Sequence, residues 1–322
     1  MPITNEQAQW FRTSFEQLVE NVGLAIRGKN DVIRLALTCL LSEGHLLLED
    51  NPGTGKTVMA KAIANTVEGT HSRIQFTPDL LPSDLVGVSV YDQKQQSFEF
   101  HKGPIFAAIV LADEINRASP KTQSALLEVM DENFATVDGV RHPVGHPFMV
   151  IATQNPIEQA GTYRLPEAQL DRFLMKTSVG YPDHDVAVEL LGQAANRDRA
   201  HDVTPMIAAN FVTQMASLAN SVHTDSAILA YVSHLATESR RHPNIKLGIS
   251  MRGALSYIRA AKTWAVSQGR DHVIPDDIKD LAIPVMSHRI ILTAEAQFSG
   301  VTVESVVGEL LANVAAPADR GH

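Results

Sequence analysis

Cysteine is almost absent from this chain of 322 residues, which contains a single one, Cys39. An intrachain disulfide is therefore impossible, and cysteine-based zinc or iron–sulfur sites are excluded. A chain of this length buries a large core without such cross-links. We expect a reducing, cytoplasmic environment for it.

Long apolar runs and an excess of positive charge are also missing. The apolar run in the middle of the chain covers only residues 105–112, whereas a membrane span needs roughly 18 residues. The N-terminal segment contains acidic residues and no apolar signal region, so we expect neither a secretory signal nor a membrane span. The net charge of −9 disfavours general binding to nucleic acid, which depends on phosphate neutralisation, but it does not exclude a local basic channel.

Hydrophobic periodicity divides the chain into two parts. Short strand-like runs alternate with helical segments up to about residue 182, and this alternation predicts an α/β fold with a parallel five-stranded sheet. The predicted strands are 45–49, 74–76, 105–112, 148–152 and 174–179. Ser119 and Pro120 predict the start of a helix over 121–130. The sequence thus predicts a first domain over residues 1–182.

The second part shows helical periodicity and no convincing strand. The predicted helices are 186–195, 228–239, 252–265 and 275–289. Pro284 lies inside the last of them and predicts a kink or a break there. We therefore expect a smaller, all-helical domain over residues 183–316, followed by a frayed tail over 317–322.

A glycine-rich loop follows the first predicted strand and opens a helix. Its sequence is Asn51-Pro52-Gly53-Thr54-Gly55-Lys56-Thr57. In such a loop the glycines let main-chain N–H groups turn toward phosphate oxygens, and the helix N-terminus favours the negative charge. Lys56 is then expected to reach the β- and γ-phosphates, and the hydroxyl of Thr57 to bind Mg²⁺.

One position departs from the general phosphate-loop pattern. Asp50 stands where that pattern has glycine. We expect phosphate binding to persist if the side chain of Asp50 points away from the nucleotide. The alternative is a glycine-rich turn before an ordinary helix, and the strand–loop–helix context favours the phosphate loop.

Two adjacent carboxylates, Asp113 and Glu114, end the apolar run. Side chains leave a strand end in alternating directions, so Asp113 is expected to hold Mg²⁺ through water while Glu114 faces the γ-phosphate and polarises the attacking water. Two acids at a strand end are often only solvated. It is their combination with Lys56 that favours a catalytic pair.

Two further polar residues are candidates for the same site. Asn155 ends the next predicted strand, where its amide can orient the water or touch the γ-phosphate; the alternative is a turn-forming asparagine before Pro156. Arg172 is a candidate finger inserted into the ATP site of a neighbouring subunit. Its alternative is a surface salt bridge with Asp171.

These motifs resemble the AAA+ ATPases, and more narrowly the MoxR family, over about residues 20 to 310. The segment Leu-Ala-Asp-Glu-Ile-Asn-Arg-Ala at 111–118 resembles the Walker B region of that family. The segment Ala-Thr-Gln-Asn-Pro at 152–156 resembles its sensor 1 region. Residues 161–163, Gly-Thr-Tyr, and the stretch Leu-Pro-Glu-Ala-Gln-Leu-Asp-Arg-Phe at 165–173 are specific to it.

The resemblance implies a role for each matching position. Lys56 and Thr57 belong to Walker A, Asp113 and Glu114 to Walker B, Asn155 to sensor 1, and Arg172 is the arginine finger. Arg252, within Gly248-Ile249-Ser250-Met251-Arg252, matches sensor 2 and would reach the nucleotide, although Ile249 and Met251 replace the usual Ala and Pro. The implied nucleotide-contacting residues are Asn51, Pro52, Gly53, Thr54, Gly55, Lys56, Thr57 and Val58, and, where the family has its adenine-contacting segment, Gly28, Lys29, Val32 and Ile33.

The resemblance also implies ligands and partners. It implies ATP and Mg²⁺, a homo-oligomer that is a hexameric ring with Arg172 acting across subunits, and a helical lid as the second domain. The expected role is chaperone-like remodelling or activation of a protein client, including metal-cofactor insertion, together with a von Willebrand factor A-domain protein. Hairpins near 89–101 and 135–147 are expected to face the client; inert surface hairpins are the alternative.

Two other functions stay open at this point. The first is a nucleotide-gated regulatory scaffold with little turnover, against which the intact Glu114 and Arg172 argue. The second is a DNA-associated motor of the same architecture. The acidic charge of the chain and the lack of a recognisable DNA-binding module argue against it.

Overall fold

The computed structural model describes residues 3–50, 53–155, 162–192, 200 and 203–317. The chain forms two compact units. One comprises Leu18–Arg172 and Thr177–Thr213, and the other comprises Met1–Gln17, Phe173–Lys176 and Gln214–His322. The predicted division at residue 182 stays a prediction, and most of the predicted tail lies outside the described residues.

Both helices and strands occur up to residue 220. They are α1 (Asn5–Gly23), α2 (Asn30–Leu41), β1 (Leu46–Glu49), α3 (Lys56–Thr66), β2 (His71–Gln75), α4 (Pro82–Val86), β3 (Gly87–Asp92), β4 (Ser97–Lys102), β5 (Ile109–Asp113), α5 (Pro120–Glu132), β6 (Phe134–Val137), β7 (Val140–Pro143), β8 (Met149–Gln154), α6 (Glu167–Leu170), β9 (Met175–Thr177), α7 (His184–Gly192) and α8 (Ala209–Asn220). A short 3₁₀ turn over Ile115–Arg117 follows β5.

Five of these strands form one sheet in the order β2-β5-β8-β1-β9. The pairs β2–β5, β5–β8 and β1–β8 are parallel. All five residues of β5 are buried, as expected for a strand covered on both faces. The predicted fold class is therefore confirmed, and the carboxyl ends of β1, β2, β5 and β8 lie along one edge of the sheet.

Strand β5 is shorter than its apolar run predicted. The run begins at Ile105, but β5 begins at Ile109. In the first half of the run the chain turns, with the N–H of Phe106 bonded to the carbonyl of Gly103 and that of Ile105 to the carbonyl of Leu85. Burial alone does not distinguish a strand from such a packed turn.

The α/β unit also contains two antiparallel hairpins. In the first, β3 pairs with β4, and Gly87 lies opposite Lys102. In the second, β6 pairs with β7. Its two-residue turn is Asp138-Gly139, with φ of 50° and 78°. Positive φ at both turn positions is the type I′ geometry that matches strand twist.

The remaining elements are mostly helical. They are α9 (Ser226–Arg241), β10 (Ile245–Leu247), α10 (Met251–Ser267), α11 (Pro275–Asp280), α12 (Ala282–Met286), β11 (Ile291–Leu292), α13 (Ala294–Phe298) and α14 (Val303–Asn313). The antiparallel ladder between β10 and β11 was missed by the sequence analysis, which predicted no strand here. Two or three residues are too few to show an alternating pattern.

The predicted break near Pro284 occurs one turn earlier. The chain leaves the helix at Leu281, and Pro284 lies in the first turn of α12. Proline is tolerated there because the first N–H groups of a helix have no intrahelical partner. Within the described ranges, no helix has both the length and the apolar character needed to cross a membrane.

Candidate active site

The phosphate loop connects β1 to α3. Gly53 and Gly55 have φ of 84° and 91°, a conformation that glycine adopts without steric cost. Lys56 begins the helix, and its Nζ lies 3.3 Å from the main-chain oxygen of Asp50. Thr57 is exposed in the first helical turn. Asn51 and Pro52, both predicted to contact nucleotide, lie outside the described residues.

The carboxylate of Asp50 is engaged away from this loop. It is 5% exposed and accepts hydrogen bonds from the hydroxyl of Ser178 (2.9 Å), the N–H of Val179 (2.5 Å) and the N–H of Gly180 (3.1 Å). The orientation that phosphate binding requires of Asp50 is therefore present. The departure from glycine anchors the start of the phosphate loop to residues 178–180.

Both oxygens of the buried Asp113 carboxylate are hydrogen-bonded. Oδ1 accepts from the hydroxyl of Thr153 at 2.6 Å, and Oδ2 accepts from Nη2 of Arg73 at 2.7 Å. Thr153 also accepts from the main-chain N–H of Glu114 at 2.8 Å. The hydroxyl of Thr153 thus joins the ends of β5 and β8 and fixes the direction in which Asp113 points.

The side chain of Glu114 has different partners from that of Asp113. Glu114 has a φ of 57°, the left-handed region, which turns the chain sharply after Asp113. Its Oε2 accepts from Nε2 of Gln75 at 2.9 Å and from Nη1 of Arg117 at 2.8 Å. The side chain is 28% exposed. In this conformation two neighbours hold the predicted general base.

These groups share one cavity of about 420 Å³ at the carboxyl edge of the sheet. The structure brings together nine of the predicted site residues, which are Lys56, Thr57, Asp113, Glu114 and Asn155 with Gly53, Thr54, Gly55 and Val58. The remaining lining residues are Asp50, Arg73, Gln75 and Thr153. A strand–loop–helix phosphate loop and two acids around one cavity form the arrangement that nucleotide hydrolysis requires.

The sequence analysis missed three lining residues, Arg73, Gln75 and Thr153. Gln75 lies opposite Asp113 in the parallel register between β2 and β5, and Arg73 lies on the same side of β2 because it is two residues earlier. A signal was available. Once β2 was placed beside β5, the last polar side chains of β2 had to face the acids.

The residues matched to the adenine-contacting segment are not among those that line the cavity. Val32 and Ile33 are buried in α2, and Lys29 donates a hydrogen bond to the carbonyl of Tyr181 at 2.7 Å. Ile26, two residues before this segment, adjoins the phosphate loop, because a Cβ on Gly55 would lie 3.5 Å from its Cδ1. The contact of residues 28–33 with a base stays a prediction.

The two remaining arginines occupy different surroundings. Arg172 follows α6, and its Nε lies 2.5 Å from Oδ2 of Asp131 on α5. Arg252 is exposed in the first turn of α10. The hydroxyl of Ser250 caps that helix by accepting from the N–H of Gly253 at 2.9 Å, so the unusual Met251 leaves the helix start intact. The catalytic roles of both arginines stay predictions.

Comparison with known proteins assigns both parts of the chain. Residues 45–175 match the model of the ATPase family associated with various cellular activities (AAA), and residues 237–310 match the AAA lid domain. A crystal structure of a candidate ATPase from Cytophaga hutchinsonii has a TM-score of 0.90 at 37% identity and covers 97% of both chains.

Relatives are similar over most of their length. YeaC of Bacillus subtilis is 46% identical, with 94% of each chain covered. Chaperone MoxR1 of Mycobacterium tuberculosis is 38% identical, covering 94% of this chain and 82% of that protein. The Protein MoxR of Paracoccus denitrificans is 33% identical, covering 83% and 86%. With its phosphate loop and paired acids in one cleft, the chain belongs to the MoxR family of AAA ATPases.

Proposed function

We propose that this ATPase hydrolyses Mg-ATP in the described cleft, as a ring whose cycle drives chaperone-like remodelling of a protein complex. The observation that carries the proposal is the shared cavity of Lys56, Thr57, Asp113, Glu114 and Asn155. A phosphate-binding lysine, oxygen ligands for a metal, a general base and an orienting amide converge there. A phosphate-binding lysine, metal ligands and a group that orients the attacking water recur among enzymes that hydrolyse nucleoside triphosphates.

The side chains divide the chemistry between them. Lys56 neutralises negative charge on the β- and γ-phosphates. Glu114 accepts a hydrogen bond from the attacking water and aligns it with the γ-phosphorus. For this the Glu114 carboxylate must give up its hydrogen bonds with Gln75 and Arg117 and bind the water instead. Asn155, at the end of the neighbouring strand, supplies an uncharged donor and acceptor that keeps the water in line.

The donor set fits Mg²⁺. Thr57 and Asp113 present a hydroxyl and a carboxylate to the cavity, and hard oxygen ligands are what Mg²⁺ prefers. Among the described residues there is no cluster of three or more His, Cys, Asp or Glu side chains that would enclose a metal. This suits an ion that keeps waters and shares phosphate oxygens. When bound, Mg²⁺ offsets charge on the phosphates.

A neighbouring copy is proposed to complete the site. Arg172 is not among the described residues that line the cavity of its own chain, and its side chain is 26% exposed beside Asp131. We place it at the surface that faces the next subunit of a hexameric ring. An arginine supplied in this way accelerates phosphoryl transfer by about 10³ to 10⁵, so turnover should depend on assembly.

The hairpins are the proposed client contact. Tyr91 and Phe98 are 50% and 73% exposed and form an edge-to-face pair with ring centroids 5.3 Å apart. Exposed aromatic pairs on a protruding ribbon suit extended or partly unfolded polypeptide, which offers apolar side chains. The chaperone name of the Mycobacterium tuberculosis relative agrees with such a role. A von Willebrand factor A-domain partner and metal-cofactor insertion rest on the family resemblance.

A nucleotide-gated scaffold is the second candidate. The observation that favours it is the engagement of Glu114 by Gln75 and Arg117. If this arrangement persisted with ATP bound, the chain would bind nucleotide and turn it over slowly. A partner that repositioned Glu114 would then switch the ATPase on.

The test is steady-state ATPase activity as a function of protein concentration, with the mass measured by light scattering in the same buffer. Wild type is compared with Glu114→Gln and Arg172→Ala, and ATP binding is measured for all three. We expect turnover per subunit to rise with assembly, and both variants to lose turnover while they bind ATP. A wild type that assembles and binds ATP without turnover supports the scaffold. A wild type that does not bind ATP contradicts both candidates.

A further inference from the structure

Arg73 lies beside the two acids of the candidate site. It is in the middle of β2, and its guanidinium bonds to Oδ2 of Asp113 at 2.7 Å and to Oε1 of Gln75 at 3.1 Å. Gln75 in turn holds Glu114. Arg73 is therefore linked to both acids, directly to Asp113 and through Gln75 to Glu114.

The side chain of Arg73 is free enough of surrounding atoms to change its conformation. Its side chain is 51% exposed, whereas that of Asp113 is 12% exposed, and it lines the cavity together with Lys56. An ion pair with a half-exposed arginine contributes little to folding. The hydroxyl of Thr153 orients the carboxylate of Asp113 independently. The pair is thus dispensable for holding Asp113 in place.

The charge balance changes when ATP enters. The cleft lining holds three acids, Asp50, Asp113 and Glu114, and two cations, Lys56 and Arg73. A metal ion held by Asp113 would repel the guanidinium, and a bound triphosphate would supply new negative charge next to it. A guanidinium matches phosphate oxygens in a forked, bidentate geometry that a lysine cannot reproduce.

We propose that Arg73 is a γ-phosphate-binding residue of the chain's own site, which rests on Asp113 when the cleft is empty and transfers to the γ-phosphate of ATP. The inference rests on the proposed function. It makes Arg73 a residue that discriminates ATP from ADP, because only ATP carries the group that draws the guanidinium away from Asp113.

The experiment is calorimetric titration of ATP and ADP into Glu114→Gln protein, which suppresses turnover, with Mg²⁺ present. Arg73→Gln is added to this background to remove the positive charge. Arg73→Lys keeps the charge but removes the bidentate hydrogen-bonding geometry of the guanidinium. Arg141→Gln is the matched control, since Arg141 is an exposed arginine in the second hairpin, stacked over Phe134 at 4.3 Å. Thermal unfolding verifies that each variant is folded.

We expect Arg73→Gln to weaken ATP binding by about 10- to 100-fold, the range for loss of a charge-assisted hydrogen bond, and to change ADP binding by less than about threefold. Arg73→Lys should fall between wild type and Arg73→Gln, and Arg141→Gln should change neither affinity. Equal effects of Arg73→Gln on ATP and ADP, or no effect, overturn the inference and leave the ATPase proposal standing. Failure of the Glu114→Gln background to bind ATP contradicts both.

Discussion

The Nε of Arg172 lies 2.5 Å from Oδ2 of Asp131, so an acid on α5 holds the proposed arginine finger. The two side chains are 26% and 20% exposed. A partly buried partner restricts the rotamers of a long side chain, and this lowers the entropy that is lost when the arginine docks on a phosphate. We therefore expect Asp131 to position Arg172.

Asp131→Asn should lower turnover in the assembled protein by about tenfold, because the amide no longer orients the guanidinium by charge. ATP binding should stay within about twofold of wild type. Steady-state kinetics and calorimetry measure the two quantities. Glu132→Gln is the matched control, since Glu132 is the next residue on α5 and is exposed. Equal losses in both variants would argue for a general charge effect.

The anchoring of Asp50 gives a prediction about stability. In Asp50→Ala the buried N–H of Val179, the hydroxyl of Ser178 and the N–H of Gly180 all lose their hydrogen-bond acceptor. The free energy of unfolding should fall by about 2 to 4 kcal/mol, since unsatisfied buried groups carry most of that cost. Asp50→Asn, which keeps one acceptor oxygen, should lose less. Chemical denaturation followed by circular dichroism measures the change.

Asp92 provides the comparison for Asp50. Its carboxylate also accepts from main-chain N–H groups, those of Lys94 and Gln95, but in an exposed turn. Asp92→Ala should cost less than about 1 kcal/mol, because water replaces the lost acceptor. A similar decrease in the free energy of unfolding at the two positions would show that the buried hydrogen bonds of Asp50 stabilise the fold no more than exposed ones do.

The aromatic pair of the first hairpin should act on clients and not on catalysis. The double change Tyr91→Ser with Phe98→Ser should reduce suppression of the aggregation of a heat-unfolded reporter protein by at least about fivefold, measured by light scattering. ATPase activity should stay within about twofold of wild type. Phe298→Ser is the control, because Phe298 is 96% exposed but lies on α13. An equal loss with Phe298→Ser would contradict a specific hairpin contact.

His288 predicts a pH dependence of stability. It is buried, and its Nε2 lies 3.0 Å from the carbonyl of Phe173, which Arg289 also contacts at 2.6 Å. Burial lowers the pKa of His288 well below 6.5, and the charges of Arg289 and Lys176 lower it further. The native state thus keeps this imidazole neutral at pH values where the unfolded chain binds a proton.

The sign follows from proton uptake on unfolding. At pH values above about 6.5, His288 is neutral in both the folded and the unfolded protein, and its contribution to stability is fully present. Below that pH the free energy of unfolding falls by up to about 1.4 kcal/mol per pH unit, until His288 is protonated in the folded protein as well. His288→Gln should flatten the fall between pH 7 and 5, as measured by urea unfolding at each pH. An unchanged slope in the variant would assign the dependence to other groups.

The sequence predicted the elements whose signals are local. Ser119 and Pro120 predicted the start of α5, and the hydroxyl of Ser119 accepts from the N–H of Thr122 as a cap does. The strand–loop–helix phosphate loop could be recognised because glycine conformation and helix start are properties of adjacent residues. The same holds for the acids, which directly end a buried strand.

The sequence by itself determined the fold class, and it predicted the glycine-rich loop before α3 and the two acids at the end of β5, because each depends on residues within a few positions of one another. Tertiary structure decided what those groups contact. Only the pairing of β2 with β5 brings Arg73 and Gln75 to Asp113 and Glu114, and only packing brings Asp131 to Arg172. These partners are distant along the chain, and hydrophobic periodicity does not predict which polar side chains of different strands or helices come into contact.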